Sequence, residues 1–196
     1  MQQMKVILAS ASPRRRELMT QIGIEYEVKV SHKEEDVTTS DPVEACKALS
    51  KQKAMDIADQ ELENDPTTEC LIIGADTVVA VDGLILGKPA DRADAERMLR
   101  HLSGKAHQVH TGVTVVHLPD GEATSFVATT HVEVAELSNK DMDWYLSTDE
   151  PYDKAGAYGI QGYFGRYVTG IRGDYNNVVG LPVGQLYRDC LSRYGL

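Results

Sequence analysis

Apolar and polar positions along the chain alternate between strand-like and helix-like spacing. Residues 5–10 (KVILAS) form a short apolar run ending in small residues, the pattern of a buried strand. Ser12-Pro13 then predicts a helix start, with Ser12 at the N-cap and Pro13 at the first helical position. Leu18, Met19 and Ile22 supply its apolar stripe, and Gly23 stops it. Residues 26–30 alternate as a strand, and 31–41 (SHKEEDVTTSD) are polar enough for a loop. Asp41-Pro42 opens a second helix running to about residue 60, with Val43, Leu49, Ala54, Ile57 and Ala58 on its inner side. Residues 61–69 are polar and contain a proline, which predicts a loop.

Residues 70–74 (CLIIG) give the clearest buried-strand signal; Asp76-Thr77 interrupts the apolar run, which resumes over 78–81. Asp82-Gly83 marks a tight turn before a returning strand at 84–86, broken by Gly87-Lys88-Pro89. Asp91 or Asp94 caps a helix through Met98, Leu99 and Leu102 that closes at Ser103-Gly104. Residues 109–116 and 124–136 predict a hairpin around Pro119-Asp120-Gly121. Ser138 caps a short helix through Trp144, Tyr145 and Leu146; a glycine-rich stretch covers 156–173, and a last helix covers about 182–193. Mixed helices and strands with a central hairpin predict an α/β fold with a mixed sheet, in one domain spanning 1–196.

Composition narrows the function classes. At 42% hydrophobic and 26% charged, the chain has the make-up of an ordinary globular protein that buries its own core. The 20 basic and 30 acidic side chains leave a formal net charge of −10. Such a surface repels nucleic acid and anionic membranes, so an anionic ligand needs a local concentration of cations. Cys46, Cys70 and Cys190 are odd in number, widely spaced and form no CxxC, which argues against a disulfide framework or structural zinc site. The first apolar run is too short for a signal peptide, and no segment approaches the roughly 18 apolar residues of a membrane span. The expectation is a cytoplasmic protein.

Four segments carry candidate chemistry. In Ser10-Ala11-Ser12-Pro13-Arg14-Arg15-Arg16 a strand runs into a helix N-terminus, where free N–H groups and the dipole favour an anion. Arginines at that end oppose the dipole, so a row of them calls for a phosphate or, more plainly, a solvated helix start with a carboxylate partner. The segment is not a P-loop, because GxxxxGK[ST] is absent. In Gly74-Ala75-Asp76-Thr77 an aspartate stands inside an apolar run, where its burial is costly. It holds a metal, acts as a base or satisfies a turn. Lys88 in Gly87-Lys88-Pro89 is the only cation between Lys53 and Arg92, and by itself fits a surface loop; Lys51 and Lys53 point to different helix faces, so only one can face a cleft. In 153–162 (DKAGAYGIQG) and beyond, Gly156, Gly159, Gly162 and Gly165 recur at every third residue, which suits a backbone lying against a ligand or against another backbone. His107 and His110 lie three apart on a strand and face opposite sides, with neither HExxH nor GxSxG in the chain, so they form no metal set or triad.

The order ILASASPRRREL, KQKA, IIGADTVV, GKP, LSGKAHQVHTGV, DKAGAYGIQG and NNVVGLPV resembles the Maf family of nucleoside triphosphate pyrophosphatases over nearly the whole chain. Each piece alone is modest; the combination is specific. The resemblance implies an α/β fold with a long mixed sheet and two lobes around a central cleft, similar to inosine-triphosphate pyrophosphatases and commonly a homodimer. It implies metal-dependent hydrolysis of a nucleoside triphosphate to the monophosphate and pyrophosphate, with Mg²⁺ or Mn²⁺ as cofactor. Asp76 matches the catalytic carboxylate position. Arg14, Thr77 and Gln161 match positions linked to substrate choice, and Ser10, Arg15, Lys53 and Lys88 match the polar and cationic lining. Glu35 in SHKEEDV matches an acidic residue on the metal side together with Asp76, with Glu34 as the other register. The DKAGAYGIQG form resembles the subgroup acting on dTTP and UTP. Tyr163-Phe164-Gly165-Arg166 departs from it, since smaller residues are more usual there. The same chemistry on a modified nucleotide such as 7-methyl-GTP, and a nucleotide-binding regulator of cell division, remain the alternatives.

Uracil and thymine present N3–H beside O4, which the Gln161 amide can pair with; guanine presents the same local pattern at N1–H and O6. The amide alone therefore does not select a pyrimidine, and the depth of the pocket must exclude the purine.

Overall fold

The computed structural model describes residues 4–35 and 38–196. The strands β1 (Lys5–Leu8), β2 (Glu27–Val28), β3 (Cys70–Val81), β4 (Leu84–Leu86), β5 (Ala106–Leu118), β6 (Ala123–Val134) and β7 (Val168–Arg172) form one mixed sheet in the order β2-β1-β3-β5-β6-β7, with β4 paired to β3. Helices α1 (Pro13–Gln21), α2 (Pro42–Asn64), α3 (Arg92–Leu102), α4 (Asn139–Leu146), α5 (Tyr175–Val179) and α6 (Val183–Asp189) flank it. The chain divides into two compact units, residues 1–76, 111–128 and 180–196, and residues 77–110 and 129–179. No helix among the described residues is long and apolar enough to cross a membrane.

In the first unit β1 lies between β2 and β3, parallel to both, with Ile7 opposite Ile72 and Leu8 opposite Ile73. The chain leaves β1 toward β2 on one side and β3 lies on the other. In open parallel sheets such a reversal is the usual ligand position, beyond the carboxyl end of the strand where it occurs, here β1. Ile7, Ile72, Ala54, Ile57 and Val116 are fully buried in its core. Asp41 caps α2 by accepting from the backbone N–H groups of Val43 and Glu44. α2 outruns the predicted end near residue 60 because Glu61, expected in a loop, is buried and takes the ammonium groups of Lys5 (3.3 Å) and Lys29. Those partners lie far away in sequence and left no local trace. Cys46, Cys70 and Cys190 all belong to this unit, and all are buried and free.

The seat of α2 on the sheet is set by missing side chains. A Cβ on Gly74 of β3 would fall 2.2 Å from the Ser50 carbonyl oxygen and 2.8 Å from the Ala54 nitrogen. A Cβ on Gly112 of β5 would fall 2.3 Å from the Cys46 carbonyl oxygen. The two glycines let the helix backbone press directly on the strands.

In the second unit Asp82 (φ 50°) and Gly83 (φ 78°) make the predicted β3–β4 turn, both central residues in the left-handed region as a type I′ turn requires. Asp91, not Asp94, caps α3, accepting from the Asp94 N–H. Ser138 and Asp141 cap α4 reciprocally. Leu99, Leu102, Val132, Tyr145 and Phe164 centre its core. Trp144 is the only tryptophan of the chain. β7, antiparallel to β6, and α5 arise inside and just after the stretch read only as glycine-rich. The last helix is shorter than expected: α6 ends at Asp189 and a 3₁₀ turn, Leu191–Tyr194, follows.

Candidate functional site

β3 passes through Asp76 and Thr77 without interruption, correcting the expected break. A strand tolerates the polar pair because both side chains are only half-buried. Side chains alternate along a strand, so Asp76 shares a face with Gly74. That face receives α2, and Lys53, next to the tightly seated Ala54, reaches Asp76 Oδ1 with its Nζ at 2.6 Å. Lys51, by contrast, is exposed. The same Lys53 ammonium lies 2.9 Å from Glu35 Oε1.

Glu35 is delivered by a loop pinned along α2. Lys33 pairs with Asp56 (3.4 Å) and Asp59 (3.7 Å), and Gln52 donates to the Glu34 carbonyl at 2.6 Å. Between the two registers left open by the sequence, the side chain that meets Lys53 is that of Glu35.

At the start of α1, Ser12 occupies the N-cap position but makes no side-chain cap bond, and the first turn holds no acidic residue. The positive helix end is therefore not neutralised by its own turn. Arg15 bridges the Ser10 hydroxyl (3.1 Å) and the Gly180 carbonyl (2.8 Å), tying the β1–α1 loop to the GLP segment. Burial lowers its guanidinium pKa from the ordinary value, while the negative charges of Asp76 and Glu35 act in the opposite direction. Burial, reinforced by Asp76, pushes the Cys46 thiol up to about 12. Ser10, Arg15, Glu35, Lys53 and Asp76 thus belong to one electrostatic neighbourhood within the first unit, and Arg14 stands half-buried on the same helix turn.

The fit of a divalent cation can be tested on this donor set. Among the described residues no group of three or more His, Cys, Asp or Glu side chains is arranged to hold a metal. Glu35 and Asp76 nevertheless converge on a single positive point, the Lys53 ammonium. Mg²⁺ is commonly held by one or two carboxylates, the remaining ligands being substrate phosphates and water. The donor set fits such an ion.

Thr77, Lys88 and Gln161 lie in the second unit. Lys88 is exposed beside buried Pro89, Gln161 is exposed, and Thr77 is half-buried. The Gly156 N–H donates to the Gly87 carbonyl (3.0 Å), so the GKP turn and the glycine-rich stretch are neighbours. The glycine period has internal causes. Added Cβ atoms would meet Val79 at Gly156, Lys154 at Gly159, Glu150 at Gly162 and the Ile160 carbonyl at Gly165. Glu150 is the residue that sequence reasoning missed. Its Oε1 accepts from the Tyr145 hydroxyl (2.9 Å) and the Phe164 N–H (3.2 Å), and its Oε2 from the Tyr163 N–H (2.7 Å). Only an acidic residue before a glycine-rich turn marked it, and such residues are ordinarily solvent-facing.

His107 and His110 lie on a strand as expected, β5, and both are buried. His107 Nε2 pairs with the Tyr158 hydroxyl at 2.7 Å, and His110 Nδ1 with Thr129 at 2.9 Å. In the departure Tyr163-Phe164-Gly165-Arg166, Phe164 is fully buried against Tyr145 and Tyr158. Tyr163 packs edge-on to Trp144, whose ring the Arg166 guanidinium covers at 4.1 Å.

A family model described as Maf-like protein matches residues 5–192. A protein of Agathobacter rectalis named dTTP/UTP pyrophosphatase is 48% identical, over 94% of this chain and 95% of its own length. Proteins of the same name from Carboxydothermus hydrogenoformans (46%, over 95% of this chain and 97% of theirs) and Koribacter versatilis (48%, over 94% and 92%) are similar to the same extent.

Proposed function

The chain belongs to the Maf family, and we propose that it hydrolyses nucleoside triphosphates, dTTP and UTP foremost, to the monophosphate and pyrophosphate. One observation carries the reading: two carboxylates, Glu35 and Asp76, meet on one ammonium, with Asp76 on β3 just beyond the stretch that pairs with β1. The relatives' names supply the substrate class.

Phosphoanhydride hydrolysis needs charge neutralisation and an aligned water more than covalent catalysis. Asp76 orients or deprotonates the water that attacks the α-phosphorus. Lys53, Arg14 and Arg15, with the uncapped start of α1 and the Ser10 hydroxyl, stabilise the triphosphate and the departing pyrophosphate. These groups answer the charge problem, since they set three cations of a protein of net charge −10 in one neighbourhood. A divalent cation, Mg²⁺ or Mn²⁺, held by Glu35 and Asp76, would supply neutralisation of the phosphate oxygens. Thr77, Lys88 and Gln161 are substrate contacts in this proposal on the strength of their motifs, with Gln161 facing the base. A cytoplasmic location and a homodimer belong to the same proposal.

The test is pyrophosphate release from UTP, dTTP, CTP, ATP, GTP and 7-methyl-GTP, with and without Mg²⁺. The expected result is metal-dependent release fastest with UTP and dTTP. Equal rates across the panel would reject the base preference, and no release from any nucleotide by the folded protein would reject the activity.

A further inference from the structure

The turn that presents Gln161 is held from beneath by one carboxylate. Gly162 N–H donates to the Gly159 carbonyl (3.2 Å) and Gly165 N–H to the Gly162 carbonyl (3.1 Å), which folds 159–165 into consecutive tight turns. Glu150 lies directly under them, so close that a Cβ on Gly162 would fall 2.1 Å from its Oε2. Its two oxygens take the N–H groups of Tyr163 and Phe164, just after Gln161. Just before Gln161, Gly159 lies against the same carboxylate, since a Cβ there would fall 3.6 Å from Glu150 Oε1, and the Tyr145 hydroxyl donates to that oxygen (2.9 Å). Lys154 Nζ holds the Glu150 carbonyl at 2.7 Å, and Pro151 behind it is buried. Both ends of the segment carrying Gln161 therefore converge on one side chain.

We propose that Glu150 is a positioning residue for base selection, its carboxylate setting where the Gln161 amide stands. The inference rests on the reading of Gln161 as the group facing the base. Three donors meet two acceptor oxygens, and all three bonds need both oxygens to accept. In Glu150→Gln the amide offers one acceptor. Whichever way it turns, an NH₂ faces at least one backbone N–H, and the turn must shift to relieve it. The Gln161 amide moves with the turn.

Uracil offers N3–H and O4 to an amide, and cytosine offers the reverse order, an acceptor at N3 and an NH₂ at C4. A held amide discriminates between them and a released one turns to suit either. The readout is the ratio of kcat/KM for UTP to that for CTP. This ratio cancels the fraction of folded enzyme, which a merely structural cap would change. Glu150→Gln is expected to lower the ratio by about three- to tenfold, the worth of one displaced hydrogen bond, and to raise KM for UTP with kcat nearly unchanged. Tyr145→Phe, which removes the hydroxyl bond to Glu150 and leaves both backbone N–H bonds in place, is expected to shift the ratio the same way by less, and serves if Glu150→Gln does not fold. Gln161→Ala is measured beside them. If Gln161→Ala changes the ratio and neither other variant does, the positioning role is overturned. If Gln161→Ala leaves the ratio unchanged, the reading of Gln161 itself is overturned, and Glu150 positions nothing that selects the base.

Discussion

Replacing Gly74 by Ala adds one methyl group where the structure has no room for it. The new Cβ would lie 2.2 Å from the Ser50 carbonyl oxygen, 2.8 Å from the Ala54 nitrogen and 2.9 Å from the Ala54 Cβ. None of these atoms is the far end of a flexible side chain. Non-bonded carbon contacts settle near about 3.5 Å, so relief requires α2 and β3 to part by about 1 Å. Overpacking of this kind costs about 1–3 kcal/mol, and backbone on both sides places it at the upper end. For a chain of this size each kcal/mol moves Tm by about 2–4 °C, giving a fall of about 6–12 °C. The same displacement carries Lys53 away from Asp76, where the contact is 2.6 Å. A misplacement of about 1 Å at a reacting centre costs about 10²-fold. Thermal unfolding and kcat/KM for UTP measure the two effects on one preparation. A variant with the parent's Tm and the parent's kcat/KM would refute the argument that Gly74 seats the helix bearing Lys53.

Two other expectations concern single side chains. Asp76→Asn keeps an acceptor for Lys53, so Tm should stay within a few degrees of the parent, while kcat should fall by about 10²-fold or more; near-normal turnover would remove Asp76 from the chemistry. His107 is 2% exposed, and burial pushes its imidazole down to about 4 from an ordinary 6.5. The unfolded chain therefore takes up the proton first. This contribution is complete above pH 6.5 and is lost as pH falls toward 4, about 3 kcal/mol in all. His107→Gln should flatten the decline of Tm between pH 6.5 and about 5, where few carboxylates titrate; an unchanged slope would count against the buried imidazole as its source.

Local chemistry made much of this architecture legible. Small residues after an apolar run, then Ser12-Pro13, mark the passage from β1 to α1, and Asp41-Pro42 marks the start of α2. Asp82-Gly83 gives both the turn and its handedness. What escaped the sequence depends on partners distant along the chain. Glu61 extends α2 because Lys5 and Lys29 lie across the sheet. Asp76 interrupts an apolar pattern but not a strand, because the strand's geometry is indifferent to a half-buried carboxylate that finds Lys53. The glycine period left open whether a ligand or another part of the chain lies against it; its glycines are small because Val79, Lys154, Glu150 and Ile160 already fill the space. That Glu35 rather than Glu34 meets Lys53 depends on how Gln52 and Lys33 pin their loop to α2. Asp76 and Lys53, which meet in the structure, were thus readable by residue type in sequence, while Glu150 and Gly112, whose contacts lie far along the chain, were not.

The division into two units also separates the chain's natural spectroscopic and chemical labels. Every thiol lies in the first unit, buried and with its pKa raised, so alkylation must await an opening of that unit. The lone indole, Trp144, lies in the second and is partly exposed beside Tyr163 and Arg166, where its emission reports the packing of α4. Alkylation kinetics and fluorescence, recorded together on the unaltered protein, therefore time the two halves independently. Coincident traces would mean that the long strands shared by both units make them melt as one cooperative body, and separated traces would measure how much of that cooperativity the shared strands fail to transmit.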